Sequence, residues 1–374
     1  MGDVGSVSMC RRIFKEQTSE SGDIPFYKIG TFGGEADAFI SRELFEEYKA
    51  KYPYPKKGDI LISASGSIGR TVEFTGENEY FQDSNIVWLN HDERLDNSFL
   101  KCFYSVVKWA GIEGSTIKRL YNDNILNTTI TLPSVAEQKK IGEYFSIIDH
   151  LITLSQRKID KLKNLKKSML EKMFPKKGTV SPEIRFNGFT NAWEQRKLGE
   201  LYQRNTERNE NLIGYDKTIS VATMSYKDDG NGASESSLST YKVLRVGDIA
   251  FEGHTNKQFR FGRFVVNDIG TGIMSPRFSA LRPLNEMPVN FWKQYIHSES
   301  VIRGILVKST KAGTMMNELV IPEFLNQTIM IPSENEQAVI GQYFASLDNL
   351  ITLHQRKLDM LKKLKSACLS EMFI

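Results

Sequence analysis

The segment LPSVAEQKKIGEYF at residues 132–145 returns as IPSENEQAVIGQYF at residues 331–344, a constant offset of 199 positions. The same offset brings Asp149 onto Asp348 and the tetrapeptide LITL of residues 151–154 onto its second copy. Solenoid repeats have periods of about 20 to 50 residues, so a repeat this long is a whole domain with a connecting element. The sequence therefore predicts a tandem duplication.

The repeated ends of the two copies are predicted to be long helices. Apolar residues recur at alternating spacings of four and three, as in a heptad seam. The pattern breaks at Ser155 and Lys166 in the first copy and at the matching His354 and Lys365 in the second. Matched seams favour pairing with each other over the alternative, in which each helix packs only on its own domain. The seam residues are Ile141, Phe145, Ile148, Ile152, Ile159, Leu162, Ile340, Phe344, Leu347, Ile351, Leu358 and Leu361.

Further leucines lie beside the first seam. Leu151, Leu154 and Leu165 widen the apolar stripe beyond what one partner helix can cover. A paired helix with spare apolar surface has room for additional helices. We therefore expect this part of the chain to bind protein partners.

The remaining parts of the two copies match only in short islands, such as KGDI at 57–60 and VGDI at 246–249. The β-rich runs at 59–63 and 85–89 predict strands, and residues 290–296 predict a helix. Together they indicate two α/β domains with irregular loops, within an α+β chain. The predicted bounds are 1–131 for the first domain, 132–178 for a central helical spacer, 179–330 for the second domain and 331–374 for a C-terminal helical spacer.

Composition excludes several classes of protein. The chain has 374 residues, a formal charge of +4 and a pI near 8.7, so DNA binding would depend on local basic patches. Three widely separated cysteines build neither a disulfide framework nor a zinc cluster. No signal pattern and no apolar run of about 18 residues is present, so we expect a cytoplasmic protein without a membrane span.

The sequence lacks the motifs of the catalytic centres that act on DNA. No Gly-Lys dipeptide occurs, which excludes the phosphate loop of P-loop ATPases. No Asn-Pro-Pro or Asp-Pro-Pro occurs, which removes the loop with which amino-methyltransferases hold a flipped base. The histidines do not show His-x-x-x-His spacing. We expect neither catalysis nor a bound cofactor or metal in this chain.

Polar loops remain as candidates for DNA contact. SASGSIGR at 63–70, GSTIKRLYN at 114–122 with its counterpart at 313–321, and the basic, aromatic stretch at 252–263 combine glycine with groups suited to phosphates and base edges. The alternatives are a tight hairpin with a solvated arginine for the first loop and neutral drift for the second. The candidate residues are Ser65, Ser67, Arg70, Lys118, Arg119, Asn122, His254, Asn256, Lys257, Arg260, Arg263, Lys311, Thr314 and Asn317.

The layout of a variable domain followed by a shared long helix, twice over, resembles the specificity subunit of type I restriction-modification systems. The motifs that carry the resemblance are PS with EQKKI at 133–141, PS with EQ at 332–337, ITLxQRK at 152–158 and 351–357, and WEQRKLGEL at 193–201. The resemblance covers nearly the whole chain, and the motifs are specific.

The resemblance implies two target-recognition domains that each read half of a split DNA sequence. It also implies that the long helices form an antiparallel coiled coil, related by a pseudo-twofold axis, which spaces the domains. The implied partners are double-stranded DNA, two methyltransferase subunits that use S-adenosylmethionine to methylate adenine, and ATP-driven restriction subunits. The chain itself would hold no cofactor.

One feature departs from a simple duplication. Met1–Val4 of the first copy aligns with residues 198–201, so the first copy has no counterpart to residues 182–197. Either the chain is truncated or its start is unusual. A first domain without this opening segment is expected to be less stable or to bind DNA weakly.

Two other functions are open to this sequence. One is a self-contained restriction-modification enzyme, against which the missing motifs argue. The other is a coiled-coil adaptor that makes no DNA contact, which a salt-dependent gel shift would separate from a DNA-binding subunit.

Overall fold

The structure is a computed structural model that describes residues 1–110, 119–176, 178–227, 232 and 235–373. The chain divides into two compact units. Unit one comprises Met1–Ser155 and Lys357–Ile374, and unit two comprises Gln156–Arg356. The division cuts both long helices, whereas the sequence-based domain bounds keep each helix whole and stay a prediction.

Unit one is built on a four-stranded antiparallel sheet with strand order β1-β7-β4-β5. A second sheet has the order β3-β2-β6. Apolar clusters lie around these sheets, one with the helices α2 and α3 and one with α1. The elements are β1 (Gly5–Met9), β2 (Ile24–Tyr27), β3 (Phe39–Ile40), α1 (Arg42–Lys51), β4 (Ile60–Ser63), β5 (Thr71–Glu73), β6 (Tyr80–Phe81), β7 (Ile86–His91), α2 (Asn97–Tyr104), α3 (Asn122–Asn127) and the first part of α4 (Val135–Lys172).

Unit two repeats this architecture with additions. Its main sheet is antiparallel with strand order β14-β13-β16-β9, and two-stranded pairs surround it. The elements are the rest of α4, β8 (Glu194–Lys197), β9 (Tyr202–Arg204), β10 (Ile219–Ser220), β11 (Ser225–Tyr226), β12 (Lys242–Leu244), β13 (Ile249–Glu252), β14 (Arg263–Val266), β15 (Gly272–Met274), β16 (Ser279–Pro283), α5 (Val289–Tyr295), α6 (Glu299–Ser309), β17 (Thr310–Lys311), β18 (Glu318–Leu319), α7 (Ile321–Leu325), β19 (Thr328–Ile331) and most of α8 (Glu334–Met372).

The duplication predicted from the helical ends extends to the strand topology. Strands β1, β7, β4 and β5 occupy the places of β9, β16, β13 and β14. The predicted strands at 59–63 and 85–89 and the predicted helix at 290–296 are confirmed within about one residue at most ends. Two sheets with little sequence identity thus share one strand order.

The short island KGDI/VGDI marks the same turn in both units. Gly58 and Gly247 have φ angles of +94° and +89°, a conformation that glycine adopts without strain. The next residue closes the turn, because the carboxylates of Asp59 and Asp248 accept hydrogen bonds from the backbone N–H of Lys56 and Arg245 at 2.8 and 2.9 Å. This turn places the first residue of β4 and of β13.

The two long helices pack antiparallel within each unit. In unit one, the Tyr144 hydroxyl of α4 lies 3.5 Å from the Cys368 sulfur, and the Asp149 carboxylate lies 2.6 Å from the Lys365 ammonium. Residue numbers therefore increase along α4 while those of the residues in contact on α8 decrease, as in an antiparallel pair. In unit two, Lys166 bonds Asp348 at 2.6 Å. The two ion pairs are equivalent, because the offset of 199 relates Asp149 to Asp348 and Lys166 to Lys365.

The apolar seam lies inside these helix pairs. Ile141, Ile152 and Ile351 are half-buried and the other nine seam residues are buried. By contrast, leucines beside the seam are exposed. These are Leu151, Leu154, Leu165, Leu350, Leu353 and Leu364. None of the helices in the described ranges is long and apolar enough to cross a membrane.

A cluster of charged side chains forms around Arg282 of β16 in unit two. Arg282 bonds both the buried Asp248, at 2.9 Å, and Glu207, at 2.5 Å. The exposed Arg245 side chain forms a second ion pair with Glu207, at 2.7 Å. The guanidinium groups of Arg245 and Arg282 hold the pKa of Glu207 at about 2. Asp248 thus depends on Arg282 for charge compensation.

We predict that Arg282→Ala lowers the free energy of unfolding of unit two by about 3 kcal/mol, because it leaves the Asp248 carboxylate buried without its cation. The matched control is Arg245→Ala, whose side chain is 56% exposed. Its ion pair is worth no more than about 1 kcal/mol. Urea denaturation of both variants measures the difference, and equal losses would contradict the assignment.

Candidate DNA interface

The loop between β13 and β14, residues 253–262, is shaped by its own side chains. The buried Glu252 accepts hydrogen bonds from the backbone N–H and Nδ1 of His254, at 3.1 and 2.5 Å. The side-chain oxygen of Asn256 accepts from the backbone N–H of Gln258 and Phe259, each at 2.8 Å. Two of the predicted contact residues, His254 and Asn256, therefore also define the loop.

The β17–β18 hairpin lies against this loop. The backbone N–H of Asn317 donates to the Gly253 carbonyl at 3.0 Å, and its side-chain amide donates to the Arg260 carbonyl at 3.3 Å. A Cβ on Gly253 would stand 2.0 Å from the Asn317 carbonyl oxygen, so only glycine permits this approach. Two stretches that the sequence analysis considered separately thus form one surface.

Cations surround the cavity between the hairpin and the sheet, which has a volume of about 560 Å³. Arg204, Lys242 and Arg277 line it together with Thr314 and Asn317. The Lys242 ammonium donates to the Phe278 carbonyl at 2.5 Å, and burial lowers its pKa, with Arg204 and Arg208 adding to the effect. Glu318 also lines the cavity, so three cationic side chains and one carboxylate face it.

The predicted basic residues of this surface differ in the hydrogen bonds and ion pairs that their side chains make. Arg263 donates to the Ala222 carbonyl at 2.7 Å and stacks over Phe259. Lys311 pairs with Glu318 at 3.2 Å across the hairpin. The side chains of Lys257 and Arg260 are exposed, and the described part of the chain offers them no ion pair. These last two have the greatest freedom to reach a ligand.

The equivalent loop of unit one, between β4 and β5, has a similar neighbour. The backbone N–H of Leu120 donates to the Ala64 carbonyl at 2.7 Å, and Ser65 forms a β-bridge with Arg119. Ser65 also donates to Asn85 at 2.8 Å, and Arg119 donates to the Ser84 carbonyl at 2.9 Å.

The other predicted contact residues of unit one lie at the edge of this surface. Ser67 and Arg70 are exposed in the loop, and Asn122 is exposed at the first residue of α3. Lys118 lies outside the described residues. Four of the five described candidates therefore belong to the loop and its neighbouring segment, and Asn122 follows that segment directly.

Sequence reasoning missed Arg204, Lys242 and Arg277. They lie on β9, on β12 and just before β16, and only the folded topology brings them to the hairpin at 314–319. No local motif marks them. Across the described ranges, no group of three or more His, Cys, Asp or Glu side chains is arranged to hold a metal ion.

Comparisons with known proteins agree with the motifs. The family model described as type I restriction modification DNA specificity domain matches residues 1–164 and 190–363. A putative type I restriction enzyme specificity subunit of Haemophilus influenzae is 62% identical over 156 residues, which are 41% of this chain and only 40% of that protein. The MjaVIII specificity subunit of Methanocaldococcus jannaschii is 27% identical over 335 residues, covering 82% of this chain and 73% of that one.

Solved structures share the fold. The S subunit of the type I restriction-modification system of M. genitalium aligns over all of this chain and 94% of its own, with a TM-score of 0.58 and 14% identity. A chain from a study of complex assembly and conformational transition of the type I R-M system aligns over 100% and 96%, with a TM-score of 0.53 and 14% identity. With two matched domains, the repeated motifs and this fold, the chain belongs to the type I restriction-modification DNA specificity family.

Proposed function

We propose that this chain reads a split DNA target, one half with each unit, within a type I restriction-modification complex. One observation carries the proposal. In both units the loop between the same two strands of the same antiparallel sheet is hydrogen-bonded to the segment that precedes the same short helix. The frame is repeated, while the side chains that it displays differ, as two readers of different half-sites require.

The chemistry of these loops suits the major groove. Arginine and lysine recognise guanine edges or phosphates, and asparagine and serine bond to base edges or backbone oxygens. Arg70 and Ser67 in unit one and Lys257 and Arg260 in unit two are exposed for this role. Asn256 and Arg263 also hold the loop in shape, because the Asn256 side-chain oxygen and one Arg263 N–H group already have backbone partners.

The exposed leucines support a scaffolding role. Leu151, Leu154 and Leu165 recur as Leu350, Leu353 and Leu364, each 36% exposed or more. Apolar side chains that are kept at equivalent places in two solvent-facing stripes offer two like docking surfaces for helices. We assign them to two methyltransferase subunits, and restriction and translocase subunits would join the assembled complex.

The catalytic steps are assigned to those partners. S-adenosylmethionine would bind the methyltransferase subunits and ATP the restriction subunits, in the cytoplasm. Burial raises the pKa of Cys102 to about 11 and of Cys10 to about 12, so neither thiol offers a thiolate nucleophile near neutral pH.

We predict that the purified chain transfers no methyl group and cuts no DNA, because its sequence lacks the phosphate loop of P-loop ATPases and the flipped-base loop of amino-methyltransferases. Incubation with radiolabelled S-adenosylmethionine and genomic DNA measures this, with the reconstituted complex as the positive control. Methyl transfer by the chain alone would favour the self-contained enzyme.

We predict that Lys257→Ala combined with Arg260→Ala weakens binding of the assembled complex to its target duplex. Each lost base contact costs about 1 to 3 kcal/mol, and each lost phosphate contact reduces the salt slope by about 1. Fluorescence anisotropy at several salt concentrations separates the two cases. Lys197→Ala, an exposed lysine on β8, serves as the matched control. Unchanged affinity and slope in the double variant would remove this loop from the interface.

We predict that lengthening both long helices separates the half-sites. Four residues inserted after Gln156 and four after the matching Gln355 add about 6 Å and keep the seam nearly in phase. With about 3.4 Å per base pair, the spacer between half-sites should grow by one to two pairs. A two-residue insertion at both places rotates the seam by about half a turn and should abolish the complex. Mapping of methylated sites measures the result, and an unchanged spacing would show that the helices are no ruler.

A further inference from the structure

Two arginines of the candidate interface, Arg119 in unit one and Arg263 in unit two, are each fixed on one side by a backbone carbonyl. The Nη2 of Arg119 donates to the Ser84 carbonyl at 2.9 Å, and the Nη2 of Arg263 donates to the Ala222 carbonyl at 2.7 Å. Both side chains are half-buried, and neither forms an ion pair with a carboxylate among the described residues. A guanidinium has five N–H donors, so one such bond does not exhaust it. Both arginines are thus held in place without being neutralised.

An aromatic ring restrains each of the two guanidinium groups from a second side. The Arg119 guanidinium lies over the Tyr121 ring, 6.0 Å from its centre, and the Arg263 guanidinium lies over the Phe259 ring at 5.2 Å. Contact with an aromatic face leaves the N–H groups at the edge of a guanidinium able to bond elsewhere. Phe259 is itself buried and packs on His297, with ring centres 5.1 Å apart. The orientation of each guanidinium is therefore restrained before a ligand arrives.

The carbonyls that accept these bonds lie in tight turns between consecutive strands. Ser84 lies in the turn 82–85, between β6 and β7, and Ala222 lies in the turn 221–224, between β10 and β11. Ser84 and Met224 have φ angles of +51° and +46°, a left-handed conformation that residues other than glycine adopt at a cost. Residues in this conformation persist where the surrounding structure holds them, and they cluster at functional sites. Both arginines are thus anchored to strained turns.

Further contacts tie the turn of unit one to the candidate interface. The Nε of Arg12 donates to the Asp83 carboxylate at 2.9 Å, and the Ser65 hydroxyl donates to the side-chain oxygen of Asn85 at 2.8 Å. Ser65 belongs to the loop between β4 and β5 and forms a β-bridge with Arg119. The turn, the loop and the arginine are therefore joined by hydrogen bonds into one structure.

The other arginines of the two loops lack these restraints. Arg70 and Arg260 are exposed, and only their backbone groups take part in the hydrogen bonds of the described ranges. A free side chain loses rotamer freedom when it binds, whereas an anchored one has lost part of that freedom on folding. A free cation suits a phosphate, while a fixed fork of donors suits a base edge with two acceptors at fixed positions. The anchored arginines are the better base readers.

We propose that Arg119 and Arg263 each read a guanine of the DNA target, one in each half-site, through O6 and N7 of its major-groove edge. Guanine presents two acceptors on that edge, and arginine presents two parallel donors to them. The inference rests on the proposed function, in which the two units read DNA. It adds the identity of one base in each half-site and the residue that recognises it. Arg70 and Arg260 bind phosphates instead.

The test uses the assembled complex and its target duplex, whose sequence comes from mapping of methylated sites. Each guanine of the target is replaced, one at a time, by 7-deazaguanine, which still pairs with cytosine but has no N7 acceptor. Inosine, which keeps O6 and N7 and lacks the amino group in the minor groove, is the control base. We expect one guanine in each half-site at which 7-deazaguanine weakens binding by about tenfold or more and inosine has little effect.

Conservative substitutions connect each guanine to its arginine. Arg119→Lys and Arg263→Lys keep the positive charge but remove the fork of donors. The 7-deazaguanine penalty should fall to about twofold or less, in one half-site for Arg119→Lys and in the other for Arg263→Lys. Complexes that have assembled, as gel filtration shows, are compared at equal salt. Equal penalties in the wild type and the lysine variants, or a half-site without guanine, would overturn the proposal.

The matched controls are the same substitution at the free arginines. Arg70→Lys and Arg260→Lys should keep the full 7-deazaguanine penalty, because an ammonium still binds a phosphate. A penalty that falls in either control would assign the guanine to a free arginine and would also overturn the proposal.

A second variant of unit one leaves the arginine in place. Tyr121 is 63% exposed, so Tyr121→Leu removes the ring without opening the core. It should lower the 7-deazaguanine penalty in the half-site of Arg119 several-fold, because the guanidinium loses one of its two restraints. An unchanged penalty would contradict the positioning role of the ring.

Failure of this proposal differs from failure of the proposed function. If the units do not read DNA, no modified base and no substitution in either unit changes binding, alanine at Lys257 and Arg260 included. If the guanine assignment alone is wrong, those alanine variants still weaken binding, whereas 7-deazaguanine has the same effect on the wild type and on the lysine variants.

Discussion

The antiparallel packing of α4 and α8 within each unit is the constraint on which the rest of the structure depends. Each unit includes a stretch of both helices, and unit one is assembled from two separate pieces of chain, Met1–Ser155 and Lys357–Ile374. The buried seam supplies most of the attraction, since burial of apolar surface is non-directional and grows with area. The Asp149–Lys365 and Asp348–Lys166 pairs add direction and register, because a displaced register would leave four half-buried charges unpaired.

Much of this arrangement could be predicted from the sequence, because periodicity and repetition are local signals. The helices, their seam and several strands follow from the spacing of apolar residues. The role of Lys166 and Lys365 in interhelical ion pairs could not be predicted, because both interrupt the apolar pattern and their partners lie about 180 and 220 residues away in the sequence. The same holds for the candidate site. Glycine and basic residues mark the loops, but the bond between Gly253 and Asn317 and the cations at Arg204 and Arg277 depend on tertiary topology.

The loops owe their freedom to vary to backbone hydrogen bonds. The carbonyls of Ala64 in unit one and Gly253 in unit two each accept a backbone hydrogen bond from the segment before the short helix, so the contact places few demands on side chains. Where a demand exists it is steric, as at Gly253, where the hairpin approaches too closely for a Cβ. Side chains that point away from this frame can change without cost to the fold, which suits a surface whose specificity must vary. Residues such as Asn256 are less free, because their side chains replace backbone partners within the loop.

The two interhelical ion pairs have different surroundings in the two units. In unit two, Gln294 of α5 donates to the second carboxylate oxygen of Asp348 at 3.0 Å. In unit one, Cys102 stands at the matching place on α2, and Asp149 faces a cavity of about 440 Å³ that is lined by both polar and apolar side chains. A cavity of that size with serine side chains in its lining accommodates ordered water, which can take over the hydrogen bond that glutamine supplies. The groups that surround the aspartate carboxylate, which we call its supports, thus differ between the units. The aspartate–lysine ion pair and the register that it sets between the helices are the same. Since a neutral donor is replaceable by water but a half-buried opposite charge is not, the ion pair is the fixed element of the helix packing and its supports are free to diverge.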